Sequence, residues 1–563
     1  MSDQASGGLS SRFAKLNPFK RSRKSHEVDD EDVGEEIDSA TVAGGGHSCH
    51  IADHQPQVLR VSPALRDRLA REGVLGDDHD AGLQALLQKS HLAIPPGVVD
   101  RSHPLPEYFV SSSHNTYLMA HQLFGASSAG AYEATLRAGA RCVEIDAWDN
   151  DDNLDEPKVT HGYTLVSNIP FRAVCETIRD VHDQEAAAAS TNGHPGAILL
   201  SLENHCGPRG QLRLAEIMRE VWGDRLLAAP VRDDNLEDHV TLAELGSKIA
   251  VVVEHHIPNE ASDSSSSSSS SSDESDDEKQ ARHDYKEKRK AAPPTVIIPE
   301  LAALGIYAQS VKPSDSSWFS SPTGLANAPH HHLINVSEVG LGSHLPGAAA
   351  PIARHNAKHL MRVFPKGTRI SSANLQPVPF WGLGAQICAL NWQTFGAGMQ
   401  LNDALFSGTD GYVLKPAALR EGGSGEAGTG RKLRLRLRVV GATDVPLPGG
   451  RGAEEIKPYV TCSLVQPGGV VKRKTGAVKQ KAGDGEDGPV WDKVLEWEFE
   501  ETELDFLRLF VKSDDSFASN PILAVAAVRL LYVVPGWSFL PMLDLKGHET
   551  KCGLLVRWEM ETV

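Results

Sequence analysis

From about residue 104 the chain alternates short apolar runs with amphipathic stretches. YFVSSS, RCVEIDAW, AILLSLEN and KIAVVVEH are rich in β-branched and aromatic residues and read as buried strands. Between them, FRAVCETIRDVHDQ and QLRLAEIMREVWG repeat apolar residues every three or four positions and read as helices. Strand and helix in alternation predict parallel strands joined by crossover helices. The pattern breaks over 257–298, where DSSSSSSSSSDESDDEKQ has no apolar positions from which to build a core. Strand-like runs resume at HLINVSE, TRISSAN, ICALNWQT and GYVLKP. Counting four strands before the break and four after predicts one (β/α)8 barrel in two halves, 104–256 and 299–420, split by an acidic linker. EGGSGEAGTG at 421–430 reads as a flexible hinge. Beyond it KLRLRLRVV alternates strictly, and 431–563 reads as an antiparallel β-sandwich. Upstream, 51–103 carries two short helical patterns around LRVSPALRDRLAREGVL and AGLQALLQKSHL, without the D-x-D-x-D-G loop of an intact EF-hand; the pair reads as a short helical region or an EF-hand remnant.

Charge changes this picture only locally. The formal net charge is −18, which argues against nucleic acid as the main partner. The acidic residues are concentrated, however: eight carboxylates lie in 27–38 and six in 262–278, both in stretches that read as unfolded. Residues 1–50 read as a disordered tail holding RFAKLNPFKRSRK, whose six cations read as a solvated tail, a membrane-touching peptide or a nuclear signal. Seven scattered cysteines without CxxC pairs point to a reducing compartment and to no zinc or disulfide framework. The start of the chain does not read as a signal peptide, and no apolar run is long enough to span a bilayer.

The chemistry gathers at the ends of the first-half strands, where barrel enzymes place their catalytic groups. SSSHNTY carries His114 and Asn115, VEIDAWD carries Glu144 and Asp146 on one strand face, HGYT carries His161, and SLENH carries Glu203. Singly, each has a bland reading as a strand end, a turn cap or a structural histidine. Together they predict an oxygen-rich cluster that suits a hard divalent cation better than zinc.

SSSHNTYL, AYEATLRAGARCVEIDAWD, HGYTL and LSLENHC resemble the X region of eukaryotic phosphoinositide-specific phospholipase C. RVFPKGTRISSANLQP, WGLGAQICALNWQT and GYVLKPAALR resemble its Y region, and PVWDKVLEWEF its C-terminal C2 domain. The resemblance implies a calcium-dependent phosphodiesterase that meets phosphoinositide lipids at the surface of an anionic membrane, by peripheral contact, and releases diacylglycerol for signalling. It implies Asn115, Glu144, Asp146 and Glu203 as calcium (Ca2+) ligands, His114 and His161 as catalytic histidines, and Glu144 or Glu203 as general base. Arg362 and Phe364 fall on its phosphate-gripping and ring-stacking positions, and its serine contact falls near Asn335 or Ser337. The implied location is the cytoplasmic side of the membrane, with the basic segment leaving the nucleus open. The alternative is a catalytically weak relative that binds inositides or acts as a scaffold.

Departures from the family pattern carry their own expectations. Val252 and Glu254 stand where the family places two lysines, which predicts weak discrimination among headgroup phosphates. In the sandwich, Lys457, Asp514 and Asp515 leave too few oxygens to hold calcium well. Lys432, Arg434, Arg436 and Arg438 share one strand face, which reads as solvated or as lipid-facing, with Lys472, Arg473 and Lys474 close by in sequence. The acidic linker 262–278 is expected to repel an anionic bilayer.

Overall fold

The computed structural model describes residues 59–119, 127–162, 167–192, 196–232, 239–257, 296–321, 325–366, 373–448, 455–481, 488–514 and 520–563. The basic tail and the acidic linker lie outside the described residues.

Eight parallel strands form a barrel: β1 Tyr108–Val110, β2 Cys142–Trp148, β3 Ile198–Asn204, β4 Ile249–Glu254, β5 Gln309–Val311, β6 His332–Ser337, β7 Leu360–Phe364 and β8 Ile387–Cys388. Each pairs in parallel with the next from β2 to β8, β8 pairs with β1, and a Ser112–Cys142 bridge closes the ring. The helices α3 Gly130–Arg137, α4 Phe171–Asn192 and α5 Pro208–Trp222 cover the first half. Helix α5 buries Leu214, Ile217, Met218 and Trp222 on one stripe and stops at Gly223, whose φ of 51° favours a residue without a Cβ.

The strands bury both faces, as parallel strands do. Val143, Ile145, Leu200, Leu202, Val251 and Val253 face the helices. The alternate positions face inward and change character along each strand. Cys142, Leu199, Ala250, Leu333 and Leu360 join one apolar cluster that fills the barrel floor. Two residues further on come Glu144, Ser201, Val252, Asn335 and Arg362, and at the mouth Asp146, Glu203, Glu254, Ser337 and Phe364.

Two strands of the second half differ from those expected. Gln309–Val311 is a three-residue strand, too short to show a period. Leu360–Phe364 takes the place expected for TRISSAN, of which 368–372 lie outside the described residues and Ala373 and Asn374 are not in a strand. Its pattern is hidden by Arg362, a charge at a buried position. GYVLKP does form a strand, β9 Tyr412–Leu414, but runs antiparallel to β1 beside the seam.

The sandwich is an eight-stranded antiparallel sheet folded over itself. Its strands are β10 Lys432–Ala442, β11 Pro458–Gln466, β12 Gly469–Lys474, β13 Val490–Glu500, β14 Phe506–Ser513, β15 Ile522–Arg529, β16 Gly536–Leu543 and β17 Glu549–Thr562. Their spatial order is β12-β11-β14-β15-β16-β17-β10-β13. Leu433, Leu435, Leu437 and Val439 of β10 enter its core. The cations between them are neutralised. Arg434 pairs with Glu498 and Glu561, Arg436 with Glu496 and Glu561, and Arg438 with Asp492 and Glu72. Arg434, Arg436 and Arg438 form a solvated ion-pair ladder, which favours the solvated reading, and Lys432 at its end is exposed.

The upstream helices α1 Pro63–Arg71 and α2 His79–Gln88 seat Leu65, Leu69, Leu83 and Leu86 on Val440, Phe539 and Leu555 of the sandwich. Ser62 caps α1 through Leu65 N–H. A helix of the barrel, Ala397–Phe406, joins the two domains. Arg508 donates to Gln400 Oε1 at 3.0 and 3.1 Å, and the Tyr532 hydroxyl donates to Leu405 O at 2.9 Å. The segment 421–430 is bonded on both sides, with Glu421 N–H donating to Glu107 and Thr429 N–H to Glu501 O.

Candidate active site

The strand ends bring Glu144, Asp146 and Glu203 together, with carboxylate oxygens within 4.8 Å of one another. Register explains this: Asp146 lies beside Glu203 across the β2–β3 pair, and Glu144 is one inward step deeper on the same face. Glu144 is held on both oxygens. The backbone N–H of Asn115 donates to Oε2 at 2.8 Å, and the Arg362 guanidinium from β7 pairs with Oε1. Arg362 also donates to Asn335 Oδ1 at 3.1 Å from the neighbouring strand. The Tyr117 hydroxyl donates to Asp146 Oδ2 at 2.6 Å. Asn115 itself has φ of 45°, a left-handed conformation that Asn tolerates better than most residues.

Burial and like charge dominate the electrostatics. The Glu144 carboxyl is pushed up to about 7 by burial, against the pull of Arg362 and with Glu203 adding repulsion. Asp146 is also pushed upward, by burial and then by Glu203 and Glu144. Three carboxylates face one guanidinium here, so the group lacks positive charge. Asp146 Oδ1 is buried and has no hydrogen-bond partner among the described residues. An oxygen-only donor set with an orphaned carboxylate oxygen fits a hard cation such as calcium.

The two histidines flank this group. His114 follows β1, and its Nδ1 lies 2.8 Å from Asn391 Oδ1. Burial, and then Arg362, lower its pKa to about 4. His161 sits just past a short strand, Lys158–Val159, paired antiparallel to β2, and Thr160 N–H donates to Asp146 O at 3.3 Å. It is half-buried and close enough to His114 for their charges to interact. Gly162 fixes its approach: a Cβ there would lie 1.8 Å from the Trp148 ring, so this turn takes only glycine.

The remaining expected positions separate. Phe364 presents its ring 5.6 Å from the Arg362 guanidinium carbon, at the rim. Asn335 bonds Arg362, whereas the Ser337 hydroxyl accepts from Gly340 N–H at 3.1 Å and caps the helix Glu338–Gly342. Val252 is buried in the barrel. Glu254 stands at the mouth with Lys312 Nζ 3.9 Å away, and its carboxyl is pushed up to about 7 by burial, with Lys312 opposing. Asn391, Tyr117 and Lys312 were not singled out in the sequence. Asn391 and Tyr117 lie inside quoted motifs, and Lys312 lies just past the strand that periodicity missed.

Comparison with known proteins agrees with this layout. Residues 101–255 match the phosphatidylinositol-specific phospholipase C X domain, 301–418 its Y domain, and 433–537 the C2 domain. A mouse (Mus musculus) relative, 1-phosphatidylinositol 4,5-bisphosphate phosphodiesterase delta-3, is 33% identical over 460 residues, covering 80% of this chain and 55% of its own length. The Homo sapiens zeta-1 phosphodiesterase of the same name is 30% identical over 461 residues, 80% of this chain and 72% of its own. A Candida albicans relative is 39% identical over 361 residues, 57% of this chain and 32% of its own. The chain thus spans little more than half the length of the delta-3 relative and under a third of the Candida one. The crystal structure of L. pealei PLC21 superposes with a TM-score of 0.69 at 23% identity, covering 94% of this chain and 65% of that one, which shows the shared fold. Two barrel halves in the order X then Y around an insert, and identity spread over most of a relative, lead to one assignment: the chain belongs to the phosphatidylinositol-specific phospholipase C family.

Proposed function

We propose that this protein is a calcium-dependent phosphoinositide phospholipase C, cleaving the headgroup phosphodiester of membrane inositides to diacylglycerol and an inositol phosphate, through a cyclic phosphodiester. The carrying observation is the gathering of buried Glu144, Asp146 and Asn115 and half-buried Glu203 at one strand-end site, with His114 and His161 beside them. Calcium held by Asn115, Glu144, Asp146 and Glu203 would supply charge that lowers the pKa of the inositol 2-hydroxyl and offsets the phosphoryl oxygens. Glu144 and Glu203 are the carboxylates placed to accept that hydroxyl proton. His114, neutral in the bare site, gains a proton when an anionic phosphate is bound and donates to its oxygen. His161, at the open side, protonates the departing diacylglycerol oxygen. Arg362 orients Glu144 and Asn335, and the Phe364 ring offers a face to the inositol. These assignments follow the family's roles onto residues whose geometry suits them.

Glu254 and Lys312 bear on the headgroup. The lost cations of β4 are partly replaced by Lys312 from the next strand, which leaves a site of mixed charge where two positive charges are the family pattern. Weak preference for the bisphosphate follows. Membrane contact is peripheral, since no helix among the described residues is long and apolar enough to cross a bilayer. The edge strand β12 suits it, with exposed Val470 and Val471 beside exposed Lys472 and Lys474. Location at the cytoplasmic face of a membrane is part of the same proposal.

The test is an assay of purified protein on vesicles containing phosphatidylinositol, its monophosphate or its bisphosphate, with calcium titrated. Hydrolysis of all three that vanishes on chelation is expected. Absence of hydrolysis at every calcium level would favour the inositide-binding scaffold.

A further inference from the structure

The barrel floor carries a second cluster of metal-capable side chains, at the opposite end from the catalytic mouth. His239 lies in the segment leading to β4, His330 and His331 immediately precede β6, and His359 immediately precedes β7. Each of His239, His330 and His331 offers a ring nitrogen, and these three atoms lie within 4.8 Å of one another. Their ring centroids are 4.8 to 5.3 Å apart. The His359 ring stands 6.0 Å from His239 and 6.2 Å from His330, and its buried Nδ1 has no hydrogen-bond partner among the described residues. We propose that His239, His330 and His331, with His359 beside them, form a binding site for a divalent transition metal of the zinc class.

The donor chemistry selects the metal. Imidazole nitrogen suits zinc, copper, nickel and cobalt, whereas calcium and magnesium require oxygen. The floor and the mouth therefore sort cations by ligand type. Three nitrogens at about 2.0–2.1 Å from a tetrahedral ion are roughly 3.4 Å apart, so closure from the observed spacing asks for side-chain rotation only. Tyr307 packs edge-on against His331 at 5.2 Å, and its hydroxyl accepts from Val231 N–H at 3.1 Å. His239 belongs to the half of the barrel before the acidic linker, and the other three belong to the half after it. An ion held here would tie the two halves together on the face away from the substrate.

The experiment uses the full chain, stripped with chelator and then held in excess calcium. Zn2+ is titrated by calorimetry, and the thermal midpoint is followed with and without it. A second titration with Co2+ reads the visible d–d bands of a nitrogen-ligated tetrahedral ion. Expected are one zinc equivalent, a midpoint raised by zinc, and cobalt bands. His330→Gln with His331→Gln should weaken this equivalent at least 100-fold and abolish the midpoint shift, while calcium-dependent hydrolysis stays unchanged. Should the double variant fold poorly, His330→Gln alone, at an exposed position, should still weaken binding at least tenfold. Zinc binding of equal stoichiometry and affinity in parent and variants, or no zinc bound by the parent, would overturn the proposal.

Discussion

Two rows of like-charged side chains lie on neighbouring strand positions in this protein, and they behave oppositely. Arg434, Arg436 and Arg438 on β10 meet Glu496, Glu498, Glu561, Asp492 and Glu72, so the row is balanced by partners at the water surface. Glu144 and Asp146 on β2 are buried, with half-buried Glu203 beside them, and Arg362 pairs with Glu144. Both rows follow from the two-residue period of a strand. What separates them is neutralisation. An exposed, matched ladder contributes little and calls for no ligand. Buried carboxylates that outnumber the cations beside them favour an added counter-charge.

The sharpest way to break this comparison is to remove the histidines proposed to act beside the carboxylates. His114→Ala and His161→Ala should each lower turnover by roughly 100-fold or more. Circular dichroism should show the parent fold, and the calcium requirement should hold. Near-parent turnover in both would leave metal binding without the proposed chemistry.

Next in size is the metal requirement. Asp146→Ala deletes a proposed ligand without unpairing Arg362 and should raise the calcium needed for half-maximal hydrolysis at least roughly tenfold. Glu144→Ala should do the same and also lose about 3–5 kcal/mol of stability, because Arg362 is left buried without its partner. A calcium titration with denaturant melts separates the two effects. Equal stability in both variants would mean that the Arg362 pair contributes nothing.

The pH response follows from the raised Glu144 value. A carboxyl at about 7 when folded, against an ordinary 4.5, binds its proton more tightly in the native state. In the absence of calcium that contribution to stability is complete below about 4.5 and is lost as pH rises through about 7. Thermal melts in chelator should therefore fall across this window, and added calcium should restore them at the upper end. A flat profile would place the excess charge elsewhere.

The smallest effects belong to the sandwich. Arg436→Ala should shift the melting midpoint by no more than about 2 °C and leave vesicle binding unchanged. Lys472→Ala with Lys474→Ala, on the exposed edge strand, should weaken pelleting with anionic vesicles several-fold. The reverse pattern would return the lipid contact to β10.

Much of this was legible along the chain. The barrel was visible because β2, β3 and β4 run for 7, 7 and 6 residues with an apolar face toward the helices, and its helices carry clear 3.6-residue stripes. The second half was less legible, since β5 has three residues and β7 hides Arg362 at its centre. The cluster residues could be named from strand ends and from family resemblance, but their electrostatics could not. That Arg362 of β7 reaches Glu144 of β2 is a contact between residues 218 positions apart. That the Ser337 hydroxyl caps a helix while Asn335 bonds Arg362 was likewise not readable along the chain.

By itself the sequence determined the alternation of buried and exposed positions, and with it the fold class and the set of chemically capable side chains, because periodicity is a local property of the backbone. Tertiary structure alone decided which charges are matched. The arginines of β10 look as available as the carboxylates of β2 until pairing across strands is known. His239, His330, His331 and His359, scattered along the chain, come together only when β4 to β7 pair side by side. Charge balance depends on distance in space and on the exclusion of water, and neither is encoded in spacing along the chain.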